Sequence, residues 1–128
     1  MAKGSVTGLA HIGVFVKDMN VSLEFYKKLG FVVDKQEDVG VKLAFLSAGN
    51  CLIELIEPKE YAPRTNGVVD HVAMTVDCID TAITEAKAKG ITIDESTVAT
   101  MEILGGVKNV FFEGPDKERL EFFEYLKK

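Results

Sequence analysis

His11 and His71 are the only imidazoles in the 128-residue chain, and 60 positions separate them. At that spacing LAHIGVFVKDMNVSLEFYKKLGFVV, from Leu9, runs without a gap against VDHVAMTVDCIDTAITEAKAKGITI, from Val69. The two rings therefore occupy equivalent places in a repeat. A lone histidine among apolar residues is ordinarily a hydrogen-bonded core residue, whereas a repeat-related pair points to a shared ligand. Glu54 and Glu121 are also repeat-equivalent, 67 positions apart, each in the middle of an apolar strand. A charged carboxylate in such a place is costly unless it is paired, protonated or bound to a cation. Read singly, Glu54 is explained by an exposed strand face and Glu121 by an ion pair with Arg119. Read together, His11, Glu54, His71 and Glu121 form a ligand set for one divalent metal ion between the two halves. Two nitrogens and two oxygens without thiolate admit nickel, cobalt, zinc, iron or manganese.

The elements that must position these groups follow from the same repeat. Each half reads strand, helix, glycine stop, strand. Val21, Phe25 and Leu29, then Ile79, Ile83 and Ala86, fall at helical spacing. Asp18 or Asn20, and Asp80, are the candidate caps, and Gly30 and Gly90 suit the left-handed residue after a helix end. Apolar segments follow at 31–33, 41–46 and 51–56, the last two joined through Ser47-Ala48-Gly49-Asn50. In the second half, 107–112 and 119–125 are joined through Glu113-Gly114-Pro115-Asp116-Lys117. An insertion of seven within 95–106 raises the offset to 67, matching Phe45 with Phe112 and Glu57 with Glu124.

The expected fold is therefore α+β, with two β-α-β-β-β modules forming an open mixed-sheet barrel around the metal and the helices outside. A single domain, 1–128, would contain halves at about 8–57 and 68–126 with a connector at 58–67. Strand alternation sets Leu9, His11, Gly13 and Phe15 on one face and Ala10, Ile12, Val14 and Val16 beneath a helix. Val69, His71, Ala73 and Thr75 form the corresponding face. Glu54 shares a side with Leu52 and Ile56, and Glu121 shares one with Arg119, Phe123 and Tyr125. The adjacent pairs Phe111-Phe112 and Phe122-Phe123 each send one ring to the core and one to the site.

Composition narrows the function classes. Hydrophobic residues make up 47% and charged residues 27%, with 3 Pro, as in a folded globular chain. A net charge of -5 and no Lys or Arg cluster beyond Lys127-Lys128 argue against nucleic acid as a partner. No apolar run approaches the roughly 20 residues of a membrane span, and the opening Met-Ala-Lys-Gly-Ser-Val lacks the plan of a signal peptide. The expected location is cytoplasmic, with no membrane partner. Cys51 and Cys78, each in an apolar segment, read as buried free thiols.

These residues resemble the vicinal oxygen chelate superfamily, which holds glyoxalase I, methylmalonyl-CoA epimerase, extradiol dioxygenases and bleomycin or fosfomycin resistance proteins. The resemblance rests on His11-Ile-Gly-Val-Phe-Val-Lys-Asp-Met, Ser22-Leu-Glu-Phe-Tyr-Lys-Lys-Leu-Gly-Phe and Phe111-Phe-Glu-Gly-Pro-Asp-Lys-Glu-Arg-Leu-Glu-Phe, and covers about 9–126. It implies paired modules around a metal, with ligands at His11, Glu54, His71 and Glu121. That set is similar to the one in bacterial glyoxalase I. The implied activity is conversion of an α-oxoaldehyde–thiol hemithioacetal to a 2-hydroxyacyl thioester by enediolate proton transfer, with Glu54 or Glu121 as catalytic base. A small-molecule substrate and a homodimer are the implied partners. Phe15 stands where bacterial glyoxalase I carries an arginine for glutathione, so the thiol stays open. The segment 40–58 is also similar to methylmalonyl-CoA epimerase, whose base would correspond to Asp38. An acyl-thioester epimerase and a non-catalytic drug-binding resistance protein are the alternatives.

Overall fold

A computed structural model of the chain describes Gly4 and residues 9–63, 67 and 69–127. Residues 64–66 of the expected connector, the expected boundaries at 8 and 68, most of the opening stretch and Lys128 lie outside the described residues. The element order is β1 (Ile12–Phe15), α1 (Met19–Lys28), β2 (Val32–Asp38), β3 (Lys42–Ala48), β4 (Cys51–Glu57), β5 (Val72–Thr75), α2 (Ile79–Ala88), β6 (Ile93–Met101), a 3-10 turn (Ile103–Gly105), β7 (Val107–Glu113) and β8 (Arg119–Tyr125). Among the described residues the strands make two four-stranded sheets, ordered β1-β4-β3-β2 and β5-β8-β7-β6. In each, the edge strand before the helix runs parallel to the last strand, and the remaining pairs are antiparallel. The architecture is thus the expected mixed-sheet, two-helix repeat, open rather than closed by strand pairing.

The helices start and stop for local reasons that both halves share. Asp18 caps α1, its Oδ1 accepting from the Asn20 and Val21 amides at 2.9 and 3.3 Å. In α2 the cap position belongs to Cys78, not to Asp80, which lies in the first turn and pairs instead with Lys108 at 3.0 Å. A second device repeats across the halves. Glu57 at the end of β4 accepts from the Met19 amide at 2.7 Å, and Glu124 on β8 accepts from the Ile79 amide at 2.8 Å. Each carboxylate satisfies an orphan N–H and sits at the positive end of the helix dipole. At the other ends Gly30 and Gly90 take φ of +97° and +83°. The amides of Phe31 and Ile91 then reach the Tyr26 and Ala86 carbonyls at 3.1 and 2.9 Å, a Schellman closure in both cases.

Alternation along the strands decides the core. Val16, Leu46, Ile53 and Leu55 from the first half and Ile79, Val110, Leu120 and Phe122 from the second are buried in one continuous apolar cluster. Burial of each such side chain contributes on the order of 1.5–3 kcal/mol. The turn between β7 and β8 reaches across to α1: Tyr26 donates its hydroxyl proton to Glu118 Oε2 at 2.9 Å, and the Lys17 amide donates to Asp116 Oδ1 at 3.1 Å.

The structure corrects the register of β7 and the burial of the cysteines, and it places the insertion. Phe111, not Phe112, faces Glu121 across the β7–β8 pair, as Phe45 faces Glu54 across β3–β4. One of the inserted residues therefore lies in the β7–β8 turn, and Phe112 falls on the buried face. The insertion expected within 95–106 is taken up partly by the bulged continuation of β6, with the register shifting between Asp94 and Ala99. Cys78 is exposed and Cys51 only half-buried. Hydrogen bonds from Thr81 at the start of α2 hold the Cys78 thiol below its ordinary range, whereas burial pushes that of Cys51 up.

Candidate metal centre

His11 immediately precedes β1 and His71 immediately precedes β5, so each ring hangs at the end of an edge strand. The parallel neighbour of that strand carries the glutamate. Gly13 is in register with Glu54, and Ala73 with Glu121, so imidazole and carboxylate rise from adjacent strands on the face away from the helices. His11 Nε2 lies 3.2 Å from Glu54 Oε1, and His71 Nε2 lies 3.2 Å from Glu121 Oε1. Gly13 and Ala73 keep these positions small; a Cβ on Gly13 would make ordinary contact with Ile56 at 3.6 Å and with Glu54 Oε1 at 3.9 Å. A phenylalanine closes each pair edge-on, Phe45 against His11 with centroids 6.2 Å apart and Phe111 against His71 at 5.5 Å.

The spacing within each pair fits metal ligation. Two neighbouring ligand atoms held at about 2.0–2.2 Å from one ion stand about 3.0–3.5 Å apart. Each pair therefore has the geometry of half a coordination shell, with donor atoms suited to a divalent first-row ion. The four side chains do not converge, however. Among the described residues no group of three or more His, Cys, Asp or Glu gathers where one ion could be held. Within one chain the sequence-derived set is two His–Glu pairs.

The pairs differ in what surrounds them. Asp70 Oδ2 accepts from His71 Nδ1 at 2.7 Å and from Arg119 Nη1 at 2.7 Å. The hydrogen bond with His71, and then the charge of Arg119, hold the Asp70 carboxyl below its ordinary range. Arg119 thus pairs with Asp70, not with Glu121 as the simpler reading of the sequence had it, and it stacks 4.1 Å above the Phe111 ring. Glu121 is buried, and its Oε2 accepts from Asn109 Nδ2 at 2.6 Å. Asn109 Oδ1 is itself buried without a partner. Sequence reasoning missed Asp70 and Asn109 because their repeat equivalents are Ala10 and Leu43, so no doubling marks them. A cleft of about 230 Å³ between the edge strands is lined by Phe15, Tyr61, Asp70, His71 and Arg119. Asp38, the candidate epimerase base, is tied into the β2–β3 turn, its Oδ1 accepting from the Gly40 amide at 3.1 Å.

Comparison with known proteins agrees with this fold. The family model described as Glyoxalase/Bleomycin resistance protein/Dioxygenase superfamily matches residues 8–122. YwbC of Bacillus subtilis (strain 168), described as uncharacterized, is 30% identical over 121 residues, covering 89% of this chain and 94% of its own. The crystal structure of SMU.1112c superposes with a TM-score of 0.79 at 26% identity, covering 94% of this chain and all, 100%, of that one. The fosfomycin resistance protein FosX from Listeria monocytogenes, solved in complex with Mn(II) and sulfate, shares the fold with a TM-score of 0.72 at 18% identity over 96% of each chain. The duplicated fold and the extent of the match lead to one assignment: this chain belongs to the Glyoxalase/Bleomycin resistance protein/Dioxygenase superfamily.

Proposed function

We propose that the protein is a metal-dependent enzyme of the glyoxalase I type, converting an α-oxoaldehyde–thiol hemithioacetal to a 2-hydroxyacyl thioester. The observation that carries this reading is the doubled His–Glu pair, each with its nitrogen and oxygen 3.2 Å apart on the open face of a sheet. Because the four side chains do not converge within one chain, this reading sets the first half of one chain against the second half of another and makes the working form a homodimer with shared centres. Exposed apolar residues beside each pair support that contact: Phe15 on the His11 face, Leu52 on the Glu54 face and Tyr125 on the Glu121 face. The Mn(II) bound by FosX supports a divalent ion in this fold.

His11, Glu54, His71 and Glu121 would hold the ion, which would supply Lewis acidity toward the substrate's oxygens. Either glutamate, as general base, takes the proton from the carbon that bears sulfur and hydroxyl and returns it to the neighbouring carbonyl carbon, while the hydroxyl proton passes to the former ketone oxygen. The change is an internal isomerisation: the hydroxyl-bearing carbon becomes the thioester carbonyl and the former ketone becomes a secondary alcohol. No external oxidant or reductant enters. Phe45 and Phe111 flank the imidazoles edge-on.

The test combines metal analysis of protein purified without chelator with proton-exchange NMR in deuterated water, using methylglyoxal adducts of several small thiols. The expected result is a stoichiometric divalent ion and turnover that falls by about 10²–10⁴ in Glu54→Gln or Glu121→Gln. Ion-free protein, or full exchange in both variants, would overturn the reading.

A further inference from the structure

The two His–Glu pairs are related by the repeat but are not built alike. Around His71 the ring's remote nitrogen, Nδ1, donates to Asp70 Oδ2 at 2.7 Å, and the same oxygen accepts from Arg119 Nη1 at 2.7 Å. Arg119 is in turn fixed by stacking on Phe111, the ring that also packs edge-on against His71. Glu121 is 5% exposed, and Asn109 holds its second oxygen at 2.6 Å. At His11 the residue before the histidine is Ala10, and Leu43 and Leu52 stand at the positions equivalent to Asn109 and Arg119. None of these three can accept or donate through its side chain. Glu54 is 18% exposed against 5% for Glu121, while the two imidazoles are similar, at 43% for His11 and 36% for His71.

From this contrast we propose that the His71–Glu121 pair is the anchor of the divalent ion and the His11–Glu54 pair its exchangeable half, with Asp70 the positioning residue that makes the difference. This rests on the metal reading above and deepens it. An imidazole that ligates through Nε2 must carry its proton on Nδ1, and a fixed acceptor at Nδ1 selects that tautomer and the ring's orientation together. Asp70 supplies such an acceptor, and Arg119 keeps the carboxylate aimed. Asn109 leaves Glu121 one oxygen for the ion and restrains the other. The first half has none of these restraints, so Glu54 is the carboxylate free to swing from ligand to base. In this arrangement His71 and Glu121 would hold the ion, and Glu54 would be the base that moves the substrate's proton.

The experiment is isothermal titration of the intact apo protein with Co(II) chloride, together with the visible absorption spectrum of the Co(II) form, for the unmodified chain and four variants. Asp70→Ala is expected to weaken Co(II) binding about 10–100-fold and to broaden or shift the absorption bands, the usual result of removing a carboxylate behind a metal-bound imidazole. Asp70→Asn, which keeps an acceptor oxygen at Nδ1, is expected to recover part of the affinity and the original bands. His71→Ala is expected to cost more affinity than His11→Ala. Unchanged affinity and spectrum in Asp70→Ala, or equal losses in the two histidine variants, would overturn the inequality while leaving the metal reading intact. Failure of the unmodified chain to bind Co(II) at all would overturn both.

Discussion

At the scale of single residues, the half-buried Tyr26–Glu118 bond makes a claim about pH. Glu118 lies between a desolvating core edge and the donors that reach it, the Tyr26 hydroxyl at 2.9 Å and the Asp116 amide at 2.8 Å. Burial outweighs those bonds and pushes the Glu118 carboxyl above its ordinary value of 4.5. Burial, and then the neighbouring Glu118, push the Tyr26 hydroxyl well above 10.0, so it remains a donor. A carboxyl raised on folding binds its proton more tightly in the folded chain. Its share of stability is full below about 4.5 and is lost as pH rises through the folded-state value. Melting temperatures between about pH 4 and 8 should therefore show Glu118→Gln gaining on the unmodified protein as pH rises. A difference that stays constant with pH would refute this. Glu118 also shows where residue-level reading ran out. The paired histidines and glutamates were legible because duplication marked them. Asp70, Asn109, Tyr26 and Glu118 act across the repeat or in one half only, and no spacing rule points to them. Duplication also marked Glu57 and Glu124 yet left their work unread, since a carboxylate that caps a helix and one that faces an ion have the same repeat signature.

At the scale of elements, the sequence carried the order of strands and helices and the glycine stops, because each rests on local chemistry. It did not carry the register of β7. The match of Phe45 to Phe112 was one residue out, and in a strand one residue exchanges the two faces. Phe111 and Phe112 are the same residue type, so hydrophobicity could not distinguish them; only the length of the β7–β8 turn does. The polar edges of β2 and β6 were likewise unreadable, since Asp34–Asp38 and the bulged part of β6 lack an apolar alternation. The helix stops, by contrast, make a firm prediction. Gly90 at φ +83° closes α2 with nothing within 4 Å of where a Cβ would stand, so substitution there is resisted by backbone conformation alone. Gly90→Ala should destabilise the chain by about 1–2 kcal/mol in urea denaturation, with an unchanged slope. Gly30→Ala at φ +97° should cost a similar amount, because the same Schellman closure is at stake. A cost near zero at both positions would mean that the closures contribute nothing.

At the scale of the whole molecule, the proposed centre requires two His–Glu pairs that stand apart within one chain to meet. Both pairs lie on sheet faces that the helices do not cover, and the described residues bring no third ligand to either. If the centre forms across a dimer, each site takes His11 and Glu54 from one chain and His71 and Glu121 from the other. A chain carrying His11→Ala then spoils both sites of its own homodimer, and so does a chain carrying His71→Ala. In a mixed dimer, the two lesions fall in the same site and the other site keeps all four ligands. After unfolding and refolding the two inactive variants together in equal amounts, half of the dimers are mixed and each has one intact site of two. The mixture should thus regain about a quarter of the activity and of the tight Co(II) binding of the unmodified protein. Were the four ligands gathered within a single chain, every site would retain one lesion and mixing would restore nothing. Size-exclusion measurements accompany the experiment, because a monomer that binds the ion with four ligands would contradict the shared centre by a separate route.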